Sequence, residues 1–409
     1  MQAIKACTDE YEERPMKITI NGAGVAGPTL AYWLHRCGHE PTLIEKAPHL
    51  RTGGYVIDFW GVGYTMAERM GILPEVLKAG YSVQELRLVD TAGRKTGGFG
   101  TSVFSRMVDG RFTSLPRGDL AAAIYRTIEG RVETLFDDSI VGLEEHDTGI
   151  RASFEHGQAR DVDLVIGADG LHSKIRELTF GPESQFERQL GYYVAAFEVE
   201  NYLPRDDLVY VSYTIPGRQV ARFTLRDGRT MFLCVFTTEH LGGSEPRSLA
   251  ERKALLHRVF DDAGWECPKI FTAMDDVEDI YFDSVTQIRI DTWSKGRVML
   301  IGDAAACASL LAGEGTGLAM TEAYVLAGEL HRAKGDYGEA FRRQEQLLRP
   351  FVEGKQESAK DFASSFAPKT AFGVWIRNQA TKLMAIPPVA NLFIGRTLRD
   401  DIDMPDYDM

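Results

Sequence analysis

Cysteine is scarce in this chain and its count is odd. The five, Cys7, Cys37, Cys234, Cys267 and Cys307, are widely spaced and form no CxxC. That pattern argues against a disulfide framework and a zinc site, and it fits a reducing compartment, by default the cytoplasm. No apolar run reaches the ~18–20 residues a membrane-crossing helix needs, so no membrane association is expected. Basic residues are in deficit, with Lys+Arg 46 against Asp+Glu 59 and a formal net charge of −13. No excess of cations is available to neutralise phosphates, which disfavours nucleic acid as a partner. The start, "MQAIKACTDEYEERPM", lacks the apolar core of a signal peptide and reads as a leader over residues 1–15. Histidines 35, 39, 49, 146, 156 and 172 show no metal-ligand spacing, and no metal site is expected. There is no internal repeat and no low-complexity tract.

What is present is a chain of 409 residues, long enough for two or three domains. Residues 17–46 read as strand, glycine turn, helix and strand. A helical pattern at 61–79 is broken by Pro74. Residues 82–108 hold short strands, with glycine turns expected at "TGGFG". Residues 117–130 read as a helix stopped by Gly130. Three strands follow, and then "DLVIGADGLHSKIR" gives a buried strand, a turn and a helix start. From 186 to 282 the pattern becomes antiparallel strands rich in aromatic and β-branched residues. Among them Tyr192, Tyr193, Phe197, Tyr210, Tyr213, Phe223, Phe232 and Phe236 are expected to form mostly sheet core. "RVMLIGDAAACASLLAGEGTGLAM" returns to a strand, a loop and a long helix, and the tail from 337 is helical. Its segment "TAFGVWIRNQATKLM" is expected to pack on the protein rather than lie on a membrane.

Three stretches carry the chemistry. In "NGAGVAGPTL", Gly22 makes a tight turn, Gly24 lets a pyrophosphate approach the backbone, and Gly27 lets helix and strand pack closely. The helix start, at Val25 and Ala26, offers free N–H groups and a positive dipole end to phosphate. Glu45, followed by Lys46, ends the second strand, where an acid can accept from a ribose hydroxyl pair. These features mark a dinucleotide without separating NAD from FAD. Asp169-Gly170 ends a second buried strand and Gly302-Asp303 a third; taken singly, each is also an ordinary turn. Gly313, Gly315, Thr316 and Gly317 then lead into a helix. That glycine loop can let a flat ring approach the backbone.

The order GxGxxG, then DG, then GD resembles the class A FAD-dependent monooxygenases of the para-hydroxybenzoate hydroxylase fold, over roughly residues 16–335. Arg117 and Arg51, the latter with Gly53 and Gly54, match further family positions. The wording of "GAGVAGPTLAYWL" and "AYVLAGEL" is similar to the tetracycline-inactivating and polyketide-tailoring branch. The sequence departs from the family at Ala306, Leu310 and Gly317, where His, Pro and Asn are common. It has no WxWxIP, which argues against a flavin halogenase.

The resemblance implies an α/β fold: a Rossmann-like FAD-binding domain of the GR2 type, an inserted antiparallel β-sheet substrate domain and a C-terminal helical segment. Residues 16–85, 106–185 and 283–335 would form the first, 86–105 and 186–282 the second, and 336–409 the third. Non-covalent FAD would lie on Gly22, Gly24 and Gly27, with Glu45 at its ribose and Arg51 and Arg117 along its backbone. Gly53 and Gly54 would lie near the moving flavin ring, Asp169 and Gly170 near the pyrophosphate, Gly302 and Asp303 at the ribitol side, and 313–317 at the pyrimidine. NADPH or NADH would dock transiently as reductant. One atom of O2 would pass, through a flavin C4a-hydroperoxide, to a multi-ring aromatic or polyketide-like small molecule. Two other readings fit the same motifs: an FAD oxidase or dehydrogenase, and a flavin-containing binding protein without turnover.

Overall fold

The computed structural model describes residues 14–50, 55–309, 311, 313–384, 386, 389, 400 and 402–409, excepting the side chains of 104 and 361–363. Most of the expected leader, with Arg51, Gly53, Gly54 and Leu310, falls outside them.

A six-stranded sheet organises the nucleotide end of the molecule. Its order is Ser294–Lys295, Val298–Leu300, Leu164–Gly167, Lys17–Asn21, Glu40–Glu45, Glu133–Phe136. All neighbours are parallel except the first pair. The central strands read as short apolar runs because both faces are covered. Ile18, Ile20, Leu43, Ile44, Leu164, Ile166, Met299 and Leu300 are at most 1% exposed. The helices Ala26–Arg36 and Gly315–Arg332 pack together, with Trp33 edge-on to Tyr324 at 5.0 Å. The strand Lys17–Asn21 has later strands on both sides. Strand order therefore reverses there, and a crevice opens at the carboxyl ends.

A seven-stranded sheet forms a second layer, ordered Tyr281–Ile288, Glu187–Glu200, Arg229–Thr237, Arg218–Thr224, Val209–Ile215, Glu85–Val89, Lys95–Gly100. It is antiparallel save where Val209–Ile215 meets Glu85–Val89. Its edge strand runs on past residue 282 to Ile288. The helices Leu249–Val259 and Cys267–Met274 cover one face. Two long helices, Tyr337–Phe366 and Ala371–Leu383, follow the nucleotide layer. Among the described residues no helix is long and apolar enough to cross a membrane.

Three local expectations change. The "TGGFG" segment is the edge strand, not a turn. A Cβ on Gly97 would stand 2.7 Å from the carbonyl of Asn378, so the missing side chain admits the helix Ala371–Leu383, and the Gly98 N–H donates to Thr381 Oγ1 at 3.0 Å. Pro74 does not break a helix. It lies in the first turn of Leu73–Ala79, where its missing N–H costs nothing, and the break is at Gly71, φ +73°. The helix at Arg117 ends at Arg126, before Gly130.

Candidate functional site

The three glycine and acid motifs meet at one edge of the six-stranded sheet. Asn21 pairs in register with Gly167 on one side and Ile44 on the other, and Gly167 pairs with Leu300. Gly22, Glu45, Ala168-Asp169 and Gly302-Asp303 thus leave neighbouring strands at the same level.

Gly22 adopts φ +111°, and a Cβ there would stand 2.4 Å from the Ala168 carbonyl. A Cβ on Gly27 would stand 1.9 Å from the Gly22 carbonyl. These two positions seal turn against helix and strand. Gly24 differs: its Cβ would meet nothing nearer than Arg117 Nη2, at 3.8 Å. The helix following it, entered through Val25 and Ala26, has no side-chain cap and no acid in its first turn. Its leading N–H groups face the open side, as an anion requires.

Arg117 lies across this opening. It is exposed, yet its guanidinium makes no hydrogen bond or ion pair among the described residues. Although the side chain reaches solvent, the protein crowding its guanidinium opposes the charge, and Tyr55, Asp303 and Tyr281 more than offset that effect, so its pKa is raised. Burial lifts the Tyr55 phenol to about 12, and Tyr281, 5.6 Å away between ring centres, is also raised by burial.

Glu45 is held by backbone. Oε2 accepts from the Ala23 N–H at 2.8 Å and Oε1 from the Ala47 N–H at 2.9 Å. An acid at the end of the strand Glu40–Glu45 can accept from a ribose hydroxyl pair. Lys46 is exposed beside it.

Asp169 is occupied by protein on both oxygens. Oδ2 accepts from Asn21 Nδ2 at 2.9 Å, Lys174 N at 2.7 Å and Ile175 N at 3.1 Å, and Oδ1 accepts from Ser173 Oγ at 2.5 Å. Its visible work is to fasten the helix Lys174–Phe180 to the end of the first strand. Beside it, Gly170 faces open space.

The third motif bends back over the first. Gly302 packs on Ala26, and the Asp303 carboxylate lies 3.5 Å from where a Cβ of Gly315 would be. Gly313 faces the Trp60 ring and Gly317 abuts Gly63, with Thr316 half-buried between them. The long helix that starts at Gly315 also has no side-chain cap and no acid in its first turn. Ala306, at a position where His is common in the family, is 7% exposed.

Several participants escaped sequence reasoning. Tyr55 and Tyr281 are single aromatics without a motif. Glu322 is one of two acids, with Glu329, in an otherwise mostly apolar helix, and no motif singles it out; burial raises its pKa to about 8. Lys355 bridges Glu314 at 3.0 Å and Asp400 at 2.9 Å, joining three distant segments.

The aromatic cluster of the seven-stranded sheet divides by strand alternation. Tyr193, Phe197, Tyr213, Phe232 and Phe236 pack under the covering helices. Tyr192 and Phe223 belong to clusters on the opposite face, where Tyr210 packs too, and Leu311 of the glycine loop joins Tyr192 there.

An uncapped helix start with an open glycine, a free arginine opposite it and an acid at the neighbouring strand end fit a dinucleotide diphosphate and ribose. The comparisons agree. The model of the FAD binding domain family matches residues 16–341. A flavin-dependent monooxygenase of an unknown prokaryotic organism is 36% identical over 410 residues, covering 96% of this chain and 99% of its own length. A flavin-dependent monooxygenase of Legionella longbeachae is 34% identical, covering 96% and 98%. The crystal structure of tetracycline destructase Tet(51) superposes with a TM-score of 0.81 at 31% identity, covering 96% of this chain and all, 100%, of that one. Klebsiella pneumoniae HpxO, solved with FAD and uric acid, shares the fold at 21% identity and a TM-score of 0.79, covering 95% and 98%. The chain belongs to the FAD-binding class A flavoprotein monooxygenases and is an FAD-dependent monooxygenase.

Proposed function

We propose that this enzyme oxygenates a multi-ring, polyketide-like phenol or enol, with NADPH or NADH as transient reductant and O2 as co-substrate. Bound FAD supplies the redox chemistry; the protein supplies binding, orientation and exclusion of water. In this reading the helix start at Gly24–Gly27 and Arg117 hold the diphosphate, and Glu45 the adenosine ribose. Asp303 holds the ribitol side, and residues 313–317 line the pyrimidine edge. Arg51 and Gly54 belong to the same proposal through the resemblance alone. We assign the DG pair, Asp169 and Gly170, to shaping the pyrophosphate wall.

The observation that carries the substrate class is the aromatic face of the seven-stranded sheet turned from the helices Leu249–Val259 and Cys267–Met274. Tyr281 lies at its edge beside Tyr55, which neighbours Arg117 and Asp303, and Tyr192, Tyr210 and Phe223 continue that face. Aromatic and aliphatic side chains pack a flat ring system with little polar demand. The likeness to Tet(51), and to Tet(55) at 33% identity and a TM-score of 0.81, supports the same class. Cys234, Cys267 and Cys307 form no disulfide among the described residues, which supports a reducing cytoplasmic setting.

The test is NADPH and NADH oxidation by the FAD-loaded enzyme with single-ring benzoates, multi-ring phenols, tetracyclines and apolar ketones, each followed by product mass. Multi-ring phenols or enols should stimulate oxidation and gain one oxygen atom. Oxygen gain confined to benzoates, or to non-enolisable ketones, overturns the substrate class.

A further inference from the structure

Among the described residues, Arg377 is a cation without a counter-ion. It lies on the helix Ala371–Leu383, which packs on the edge of the seven-stranded sheet. Its Nε donates to the amide oxygen of Asn378 at 3.0 Å. Its Nη1 is shared among Gln219 Oε1 at 3.3 Å, the Ser365 carbonyl at 3.3 Å and the Phe366 carbonyl at 3.4 Å. These four acceptors are neutral, three of the contacts are long, and Nη2 has no hydrogen-bond partner among the described residues. Elsewhere in this chain the withdrawn arginines find acids: Arg176 meets Glu183, and Arg222 meets Asp206 and Glu266. Burial pulls the Arg377 pKa down to about 10, and no carboxylate among the described residues opposes it. A guanidinium withdrawn from water and left unpaired is unfavourable unless something anionic joins it.

Its placement says what that would be. Gln219, which holds Arg377, is in register with Val235, Val235 with Val194, and Val194 with Asp283. This row crosses the sheet on the face turned from the covering helices. It ends next to Tyr281, which contacts Tyr55. Three inter-strand steps of ~4.8 Å separate its ends, about 14 Å in all. Half-buried Tyr210, Ala221 and Leu233 lie on the same face.

We infer that Arg377 is a substrate-binding residue that takes an ionised oxygen, a carboxylate or a phenolate or enolate, at the end of the substrate remote from the flavin. Arginine suits this role because its planar fork can give two parallel hydrogen bonds to such a group. Gln219, itself held by Thr214 Oγ1 at 3.2 Å, orients the fork. The inference rests on the proposed substrate class, since it places a charged group on that ring system.

The experiment measures binding to the FAD-loaded enzyme, without reductant, by the change in flavin absorbance and fluorescence. The probes are anthraquinone-2-carboxylate and its methyl ester, alizarin and its dimethyl ether, and benzoate and methyl benzoate. Wild type, Arg377→Met and Arg377→Lys are compared. The wild type should bind an acid at least tenfold tighter than its neutral partner. Arg377→Met should erase that preference, weakening the acid at least tenfold and the neutral partner less than twofold, and Arg377→Lys should keep part of it. Arg377→Met without ligand should be at least as heat-stable as wild type, because a half-buried cation with no acid partner among the described residues has been removed. A preference that survives Arg377→Met, equal loss for acid and ester, or binding of no acid at all overturns the anchor. Arg377-dependent binding of benzoate but of neither ring system overturns the multi-ring substrate class and leaves the anchor standing.

Discussion

The Glu322 carboxylate accepts the Gly302 backbone N–H at 2.5 Å, tying the long helix to the strand end that carries Asp303. Glu322 is 1% exposed. Burial pushes its pKa up to about 8; the Gly302 N–H opposes this and the Asp303 charge adds to it. The folded protein therefore holds this proton more tightly than the unfolded chain, whose glutamates titrate near ~4.3. The stabilisation is complete below that value and is lost as pH rises toward 8. Glu322→Gln keeps an acceptor for Gly302 and cannot ionise. Relative to this variant, the FAD-free wild type should lose stability steadily from pH 5 to 8, by at most ~1.4 kcal/mol per pH unit. Thermal unfolding of both proteins across that range checks it, and parallel curves would count against a buried neutral Glu322.

Gly24 and Gly27 should fail in opposite ways. Gly24→Ala places a methyl in open space beside Arg117, so the FAD-free fold should change by less than ~0.5 kcal/mol. Its FAD affinity should drop at least tenfold, because the methyl enters the proposed diphosphate space. Gly27→Ala drives a methyl into the Gly22 carbonyl and should unfold far more easily, by several kcal/mol on the order of other overpacked sites. Denaturant melts of the FAD-free proteins and flavin titration separate the two outcomes.

These glycines also show what was legible in the sequence. The strand, turn and helix around Gly22 are local, and short-range sterics write them directly into residue order. The meeting of Gly22, Asp169 and Gly302 was readable only through the resemblance, because register between strands more than a hundred residues apart leaves no local trace. The Gly97-Gly98 pair looked like a turn because glycine usually punctuates; here it makes room for a helix that lies almost three hundred residues later. Asp169 reads in the sequence as an acid near the pyrophosphate, and in the structure its hydrogen bonds run to Asn21 and to the helix it starts. The pairing of Lys355 with Glu314 and Asp400, and the isolation of Arg377, depend on which charges are absent nearby, and no motif encodes an absence.

Arg117→Met should weaken FAD binding by about 1.5–3 kcal/mol, roughly ten- to a hundredfold, as expected for one charge-assisted contact to phosphate. Among the described residues no acid is hydrogen-bonded to its guanidinium, so the FAD-free protein should melt within about a degree or two of wild type. The Tyr55 phenol, held near about 12 partly against the pull of this arginine, should titrate higher still in the variant. Equal FAD affinity in the two proteins would remove Arg117 from the diphosphate site.

Asp169→Ala should show the reverse balance. The side chain accepts four hydrogen bonds, two from the first N–H groups of the helix Lys174–Phe180, one from Ser173 and one from Asn21 on the central strand. Ser173 itself caps that helix by accepting the Arg176 N–H at 3.0 Å, so losing Asp169 loosens the cap as well. Removing an ionised cap and orphaning part-buried donors costs about 2–4 kcal/mol. That loss should appear in full in the FAD-free protein, because none of these partners belongs to a ligand. FAD affinity should fall less than in Arg117→Met. Asp169→Asn, which keeps one acceptor oxygen, should recover part of the stability. Denaturant melts with and without saturating FAD decide the matter: a loss seen only in the FAD-loaded protein would return Asp169 to direct contact with the cofactor.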